Sequence, residues 1–307
     1  MNIEDYKQLI KKERLKHFDT PYDMIYQALE QLGYHKKDVS FFVDNASNIV
    51  EKLRQEAWGN FLPIEKDFTV TTLKRLVSEE QVSKLTGLDA IGWFVENFPE
   101  HIYTLTLSNT QSRRSRAGTE FETIIELILM GANIPMDTQG NIGKTAFASK
   151  GLGKAVDIVS PGAYQYLLNK RNTVLISAKT TLRERWQQVP EEMGRTGARE
   201  MFLATLDTGI SNEAIDILYE ANIQLVTTQR NKAENYAHQR SVLSFEELLD
   251  ILQRNALQWA KYSFTEQDKE HIFENLDTQL ATHEKHNFVK NYYEAQKLNF
   301  GEANARK

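Results

Sequence analysis

Cysteine is missing from this chain of 307 residues. That excludes a disulfide frame, a thiolate metal site and a cysteine nucleophile. Histidine is sparse, 7 in all, and none falls at zinc-type spacing. His283 and His286, in HEKH, lie in a charged tail and lack the H-E-x-x-H order of a helical zinc site. No apolar run reaches bilayer-spanning length, and the N-terminal MNIEDYKQLIKKERLKHF is too charged for a secretory leader. A cytoplasmic protein without membrane contact is expected. Gly143-Lys144-Thr145 has no Walker glycines before it, which argues against ATP. Gly151-Leu152-Gly153-Lys154 precedes a strand, whereas a phosphate-binding fingerprint follows one. There are no repeats or low-complexity tracts. Nor is there an excess of positive charge: 37 Lys and Arg against 42 Asp and Glu leave −5. A chain coated in positive charge is disfavoured, but a local basic cleft is not.

What is present suits a globular chain. It is 41% hydrophobic and 26% charged, long enough to bury a sizeable core in one large domain or two ordinary ones. Residues 1–100 read as helical, with apolar residues at three- and four-residue spacing in YDMIYQALEQLGY and SNIVEKLRQEAWGNF. Residues 109–118 turn polar and basic and read as a loop or the approach to a helix. GTEFETIIELILMGANI follows as an amphipathic helix, with Thr119 and Glu122 at capping-box spacing. Strands are expected at 154–160, 173–180, 200–208 and 221–228. Helices are expected behind Ser211 and Ser244, and a charged helical tail runs from Ser263. Strands alternating with helices predict an α/β sheet containing parallel pairs.

Two of these strands carry charge where a core strand should not. Asp157 sits among Val156, Ile158 and Val159. Ser177 and Lys179 are two apart, so they share a face. A carboxylate and an ammonium on neighbouring apolar strands are costly to bury unless paired or used. The carboxylate can bind a hard divalent ion, and the lysine can sit beside the activated water. A second acid would complete such a site. One candidate is Glu192, in QQVPEEMGRTG, a short helix with Pro190 in its early turn. The other is Glu122, which borders the stripe of Phe121, Ile124, Ile125, Ile128 and Leu129, with Glu126 expected further toward solvent. The bland alternative is a structural Asp157–Lys179 ion pair with unrelated surface glutamates.

In this order, Glu122, Asp157, Ser177-Ala178-Lys179 and Glu192 resemble the PD-(D/E)XK nucleases. More narrowly they resemble type II restriction endonucleases with a relocated glutamate, D…SxK…E. In that variant a serine fills the usual acidic slot, and the missing carboxylate comes from a later helix, here Glu192. Arg183-Glu184-Arg185, just past Lys179, narrows the resemblance to the CCGG-core group of SsoII, PspGI and the EcoRII catalytic domain. It covers residues 105–230 firmly and the N-terminal helices more loosely. The proline that often precedes the aspartate is lacking here.

The resemblance implies a restriction-endonuclease-like mixed β-sheet core flanked by helices. Three regions are expected: a helical N-terminal region at 1–105 (DNA contacts, dimerisation, a base-flip pocket), a catalytic core at 106–262 and a C-terminal helical extension at 263–307. It implies Mg2+ as cofactor, with Asp157 and Glu192 as metal ligands and Glu122 supporting a metal site or its surroundings. Lys179 would orient and activate water, and Ser177 would mostly position its neighbours. The implied substrate is double-stranded DNA with a CC/GG palindrome, CCNGG in the SsoII-like branch, cut before the first C to leave a 5′ overhang. A homodimer is implied, with a transient tetramer left open. A cognate DNA methyltransferase belongs to such a restriction-modification system, though not as a bound partner.

The triplet also has a chemical reason to be there. Arginine can donate two bonds to guanine O6 and N7, and glutamate can accept from cytosine N4. Arg183, Glu184 and Arg185 can thus read adjacent G·C pairs, where the alternative is a solvated charged turn. Arg54 and Trp58 are i and i+4 on one helix, able to sandwich an unstacked base. In the SsoII-like branch residues at matching places hold the flipped central nucleotide. An ordinary cation–π pair, or a core role for Trp58, is the alternative. Gln111 matches a family glutamine that approaches the minor groove. Arg113, Arg114 and Arg116 are expected at phosphates, since phosphate contacts outnumber base contacts. Two further classes stay in view: a catalytically silent DNA-binding regulator on the same fold, and a structure-specific repair or junction nuclease that would not need the triplet.

Overall fold

The computed structural model describes residues 1–152 and 156–305, and for Glu184, Arg185 and residues 302–305 the backbone alone. Lys154 and Ala155, at the start of the first expected strand, lie outside the described residues. A six-stranded mixed sheet runs in the order β1 (Asp137–Thr138), β2 (Ile158–Ser160), β3 (Val174–Lys179), β4 (Met201–Thr205), β5 (Ile223–Thr227), β6 (Leu243–Ser244). β1, β2 and β3 pair antiparallel, and β3 to β6 pair parallel.

Parallel neighbours need crossovers, and the sequence supplies helices for them. Val189–Thr196 lies between β3 and β4, Asn212–Glu220 between β4 and β5, and Gln229–Asn235 between β5 and β6. β4 is buried at every position and β3 at all but Lys179, as expected of central strands covered on both faces. The caps fall where the sequence puts them. Ser211 accepts from the Ala214 N–H at 3.3 Å, and Ser244 and Glu247 form a reciprocal capping box.

Contacts group the chain into two compact units. One holds residues 1–28 and 54–120 and is helical, with Tyr6, Ile10, Phe68, Leu76 and Leu105 in its core. The other holds residues 29–53 and 121–307, and so contains the sheet and the C-terminal helices Glu266–Thr282 and Asn287–Ala305. Leu175, Met201, Leu203, Ile215, Leu218 and Leu225 form part of its core. Among the described residues no helix is long and apolar enough to cross a membrane.

Several local expectations are corrected. Residues 109–118 are not a loop, because one helix runs unbroken over Pro99–Gly131. Thr119 is therefore interior rather than a cap. An i,i+4 pair, Arg116 to Glu120 at 3.4 Å, supports the polar stretch. Nor does Glu126 point to solvent. It is 6% exposed and accepts from Asn141 Nδ2 at 2.7 Å, with His283 Nε2 3.9 Å away. The C-terminal segment buries the helix face that local periodicity leaves polar. His283 and His286, expected in a charged tail, are buried there with their Nδ1 atoms 3.1 Å apart.

Candidate active site

Pairing of β2 with β3 sets Ile158 against Ile176, and the Asp157 N–H donates to the Ile176 carbonyl at 2.9 Å. Asp157 therefore lies beside the end of β3. Its Oδ2 accepts from the Ala178 N–H at 2.7 Å and from Lys179 Nζ at 2.9 Å. Lys179 Nζ also donates to the Ala178 carbonyl at 3.0 Å. Ser177, fully buried on the same strand, favours the charged form of Asp157, although its Oγ falls outside normal hydrogen-bond geometry. Burial nevertheless dominates and pushes the Asp157 carboxyl up, against Lys179 and the Ala178 N–H. The Lys179 side chain keeps 26% exposure, so this buried acid is paired with a cation that reaches open space.

Glu122 belongs to the same electrostatic cluster. Burial, and then the charge of Asp157, push its carboxyl up to about 7, with Lys179 and Lys144 opposing. A carboxyl poised this far up, next to a paired acid, is characteristic of functional clefts. Glu192, the other expected acid, is half-buried on the Val189–Thr196 helix, and its side chain makes no hydrogen bond or ion pair with the described residues. The fold thus brings together Asp157, Lys179 and Glu122, and Glu192 joins none of their contacts. Among the described residues no three histidine or acidic side chains are gathered closely enough to hold a metal ion.

The triplet opens the short turn Arg183–Gln187, which starts four residues past Lys179. Arg183 is exposed and has φ +46°, a conformation uncommon outside glycine. The side chains of Glu184 and Arg185 lie outside the described residues.

The helical unit holds a separate cavity of about 310 Å3, lined by Arg54, Trp58, Phe61, Arg113, Arg116 and Glu120 among others. Arg54 and Trp58 share a face of the Ala46–Lys74 helix, as expected, and Trp58 is 45% exposed. The indole stacks on Phe61 with centroids 5.5 Å apart. The guanidinium recorded over Trp58, at 5.4 Å, is that of Arg113. Glu65, itself buried, holds Arg113 through Nε at 2.9 Å and through Nη2. Arg116 is paired with Glu120, whose carboxyl burial pushes up and both Arg116 and Arg54 oppose. Arg114 and Gln111 are exposed. Of the three arginines expected at phosphates, two are therefore fixed by carboxylates of the same unit.

Residues 77–249 match the family described as EcoRII C terminal. Over 289 residues the chain is 49% identical to the type II restriction enzyme SsoII of Shigella sonnei, spanning 94% of this chain and 95% of that one. The chain belongs to the type II restriction endonucleases. It is a site-specific nuclease of the EcoRII C-terminal family. Solved structures agree. Metal-depleted Ecl18kI in complex with uncleaved DNA superposes with a TM-score of 0.91 at 47% identity, covering 97% of this chain and 99% of that one. The same enzyme with uncleaved, modified DNA gives 0.92 at 46% over the same shares. The PspGI–substrate DNA complex gives 0.58 at 16%, over 78% and 94%, a likeness of fold alone.

Sequence reading missed several residues of this restriction endonuclease. Gln139 donates through its backbone to the Asp157 carbonyl at 2.8 Å and through Nε2 to the Val156 carbonyl at 3.2 Å, clamping the acid's backbone from β1's side. Glu65 and Glu120 organise the arginines of the cavity. Polar side chains of these types are common on helices and in turns, so only their three-dimensional partners distinguish them.

Proposed function

We propose that this restriction endonuclease makes Mg2+-dependent double-strand cuts at a CC/GG palindrome, CCNGG, before the first C. The observation that carries the proposal is the Asp157 carboxylate, just ahead of β2, held by Lys179 of β3, with the Glu122 carboxyl raised in the same cluster. Two desolvated carboxylates are hard oxygen donors of the kind Mg2+ takes, so the residues fit the ion. Asp157 and Glu122 would hold it from the cluster, with Glu192 brought up as the further ligand implied by the resemblance. Bound Mg2+ would supply a Lewis acid at the scissile phosphate.

The chain's own residues do the rest. Lys179 orients the attacking water and holds or passes its proton. The Ala178 N–H holds the Asp157 carboxylate, and Gln139 holds the backbone that carries it. Arg183 and Arg185 donate to guanine, and Glu184 accepts from cytosine. Gln111 approaches the minor groove. Arg54 and Trp58 receive the flipped central base, in a cavity at the small end of the range for ligand pockets. Arg114 contacts phosphate directly, while Arg113 and Arg116 reach it from positions fixed by Glu65 and Glu120. Residues 1–105 serve DNA contacts and dimerisation, 106–262 catalysis, and 263–307 form an extension. Since a palindrome presents two equal half-sites, a two-fold homodimer on double-stranded DNA is the matching assembly. The Ecl18kI complexes, metal-depleted with DNA uncleaved, support a metal requirement by kinship.

Incubating plasmid DNA with the protein and Mg2+ tests the reading. Discrete bands that disappear in chelator are expected. A gel shift without cleavage in Mg2+ would instead mean a DNA-binding protein.

A further inference from the structure

The turn that begins with Arg183 is tied to one carboxylate. Leu182, the residue before it, is buried, and its backbone N–H donates to Asp207 Oδ2 at 2.8 Å. Arg183 then takes its left-handed φ of +46°. A side-chain-bearing residue stays in that region only where its surroundings fix it.

Asp207 is itself fixed from every side. It lies two residues past β4, the parallel neighbour of β3, and Thr205 at the end of β4 is in register with Lys179. The Asp207 N–H donates to Thr205 Oγ1 at 3.2 Å, and its Oδ1 accepts from the Gly209 N–H at 3.1 Å. Its carbonyl accepts from Asn231 Nδ2 at 3.0 Å and from the Tyr236 hydroxyl at 2.7 Å. Asn231 and Tyr236 are both buried. A chain of hydrogen bonds therefore runs from the core, through Asp207, to the backbone that launches the triplet. Asp207 makes no hydrogen bond to Asp157, Lys179 or Glu122.

We propose that Asp207 is a specificity-positioning residue, setting the backbone from which Arg183, Glu184 and Arg185 meet the bases. This rests on the reading of the triplet as the base reader. Bidentate contacts tolerate little displacement. Without the carboxylate, the buried Leu182 N–H must find another acceptor, and the turn shifts to supply one. Discrimination should suffer while the cleavage machinery keeps its geometry.

The experiment compares wild type, Asp207→Ala, Asp207→Asn and Arg183→Ala on a CCNGG duplex and on duplexes with one outer base pair changed. Binding is measured without divalent ions and single-turnover cleavage with Mg2+. Asp207→Ala should lose about 10- to 100-fold of the cognate-over-altered binding ratio, the scale of one hydrogen bond to a charged group. Its cleavage rate at saturating cognate DNA should stay within a few-fold of wild type, and Asp207→Asn, which keeps one acceptor, should recover part of the ratio. A folded Asp207→Ala with the wild-type ratio, while Arg183→Ala loses it, overturns the role of Asp207 alone. An unchanged ratio in Arg183→Ala overturns the base-reading assignment beneath it. Amide exchange in the wild-type protein needs no variant: strong protection at Leu182 is expected, and fast exchange there overturns the proposal.

Discussion

The Lys179 ammonium lies 2.9 Å from Asp157 Oδ2, bridging β3 and the approach to β2. The residue proposed to handle the proton therefore also holds the residue proposed to handle the metal. Replacing Lys179 with alanine should lower single-turnover cleavage about 10²- to 10⁴-fold, the usual worth of a positioned acid or base. Affinity for a CCNGG duplex without divalent ions should change little, because the readout turn is separate. Asp157→Asn should behave alike. A folded Lys179→Ala protein that cuts normally contradicts the assignment.

Glu122 makes stability depend on pH with a definite sign. Its carboxyl rises from 4.5 to about 7, so the folded protein holds that proton more tightly than the unfolded chain does. The resulting stabilisation is complete below about 4.5 and fades as pH climbs through 7. At pH 8 in chelator, Glu122→Gln should melt above wild type, and at pH 4 the two should melt together. Mg2+ should narrow the pH 8 gap by binding the wild-type carboxylates. Thermal melts at the two pH values decide it. A Gln variant that melts lower at pH 8 would remove Glu122 from the cluster.

Trp58, exposed at 45% and stacked on Phe61, should act only when a base enters its cavity. Trp58→Ala is expected to cost about 1–3 kcal/mol of binding to a duplex with a normal central pair, the range for stacking one base on an aromatic ring. On a duplex lacking the central base, variant and wild type should bind nearly alike. Equal losses on both duplexes would make Trp58 a structural residue.

How much was legible in the sequence depended on how local the cause was. Asp157 and Lys179 stood out because charge inside an apolar strand is anomalous within a few residues, and β3 formed where its β-branched run predicts. Ser211 and Ser244 cap as expected because capping is local. β1 and β6, two residues each, are too short to carry a period. Glu126 was misplaced because its partners Asn141 and His283 come from elsewhere in the chain. The Arg113 region reads as a loop or the approach to a helix, and its place inside one helix is hidden because its support, Glu65 and the Arg116–Glu120 pair, only emerges once the helices exist. Asp207 gave no signal at all, since an aspartate after a strand is ordinary.

Gly131 closes the Pro99–Gly131 helix against Phe42, and an added Cβ would run into that ring. Gly131→Ala should therefore destabilise the fold by about 1–3 kcal/mol through overpacking, despite alanine's better helix propensity. Urea unfolding measures it. A neutral or stabilised variant would mean that Phe42 yields freely.

The most direct measurement is to digest DNA of known sequence with the protein and Mg2+ and to sequence every end produced. Ends lying before the first C of CCNGG on both strands, with 5′ overhangs, and no ends from the Asp157→Asn protein, are the predicted result. Ends scattered without a shared motif, or cuts that persist in Asp157→Asn, would contradict the account.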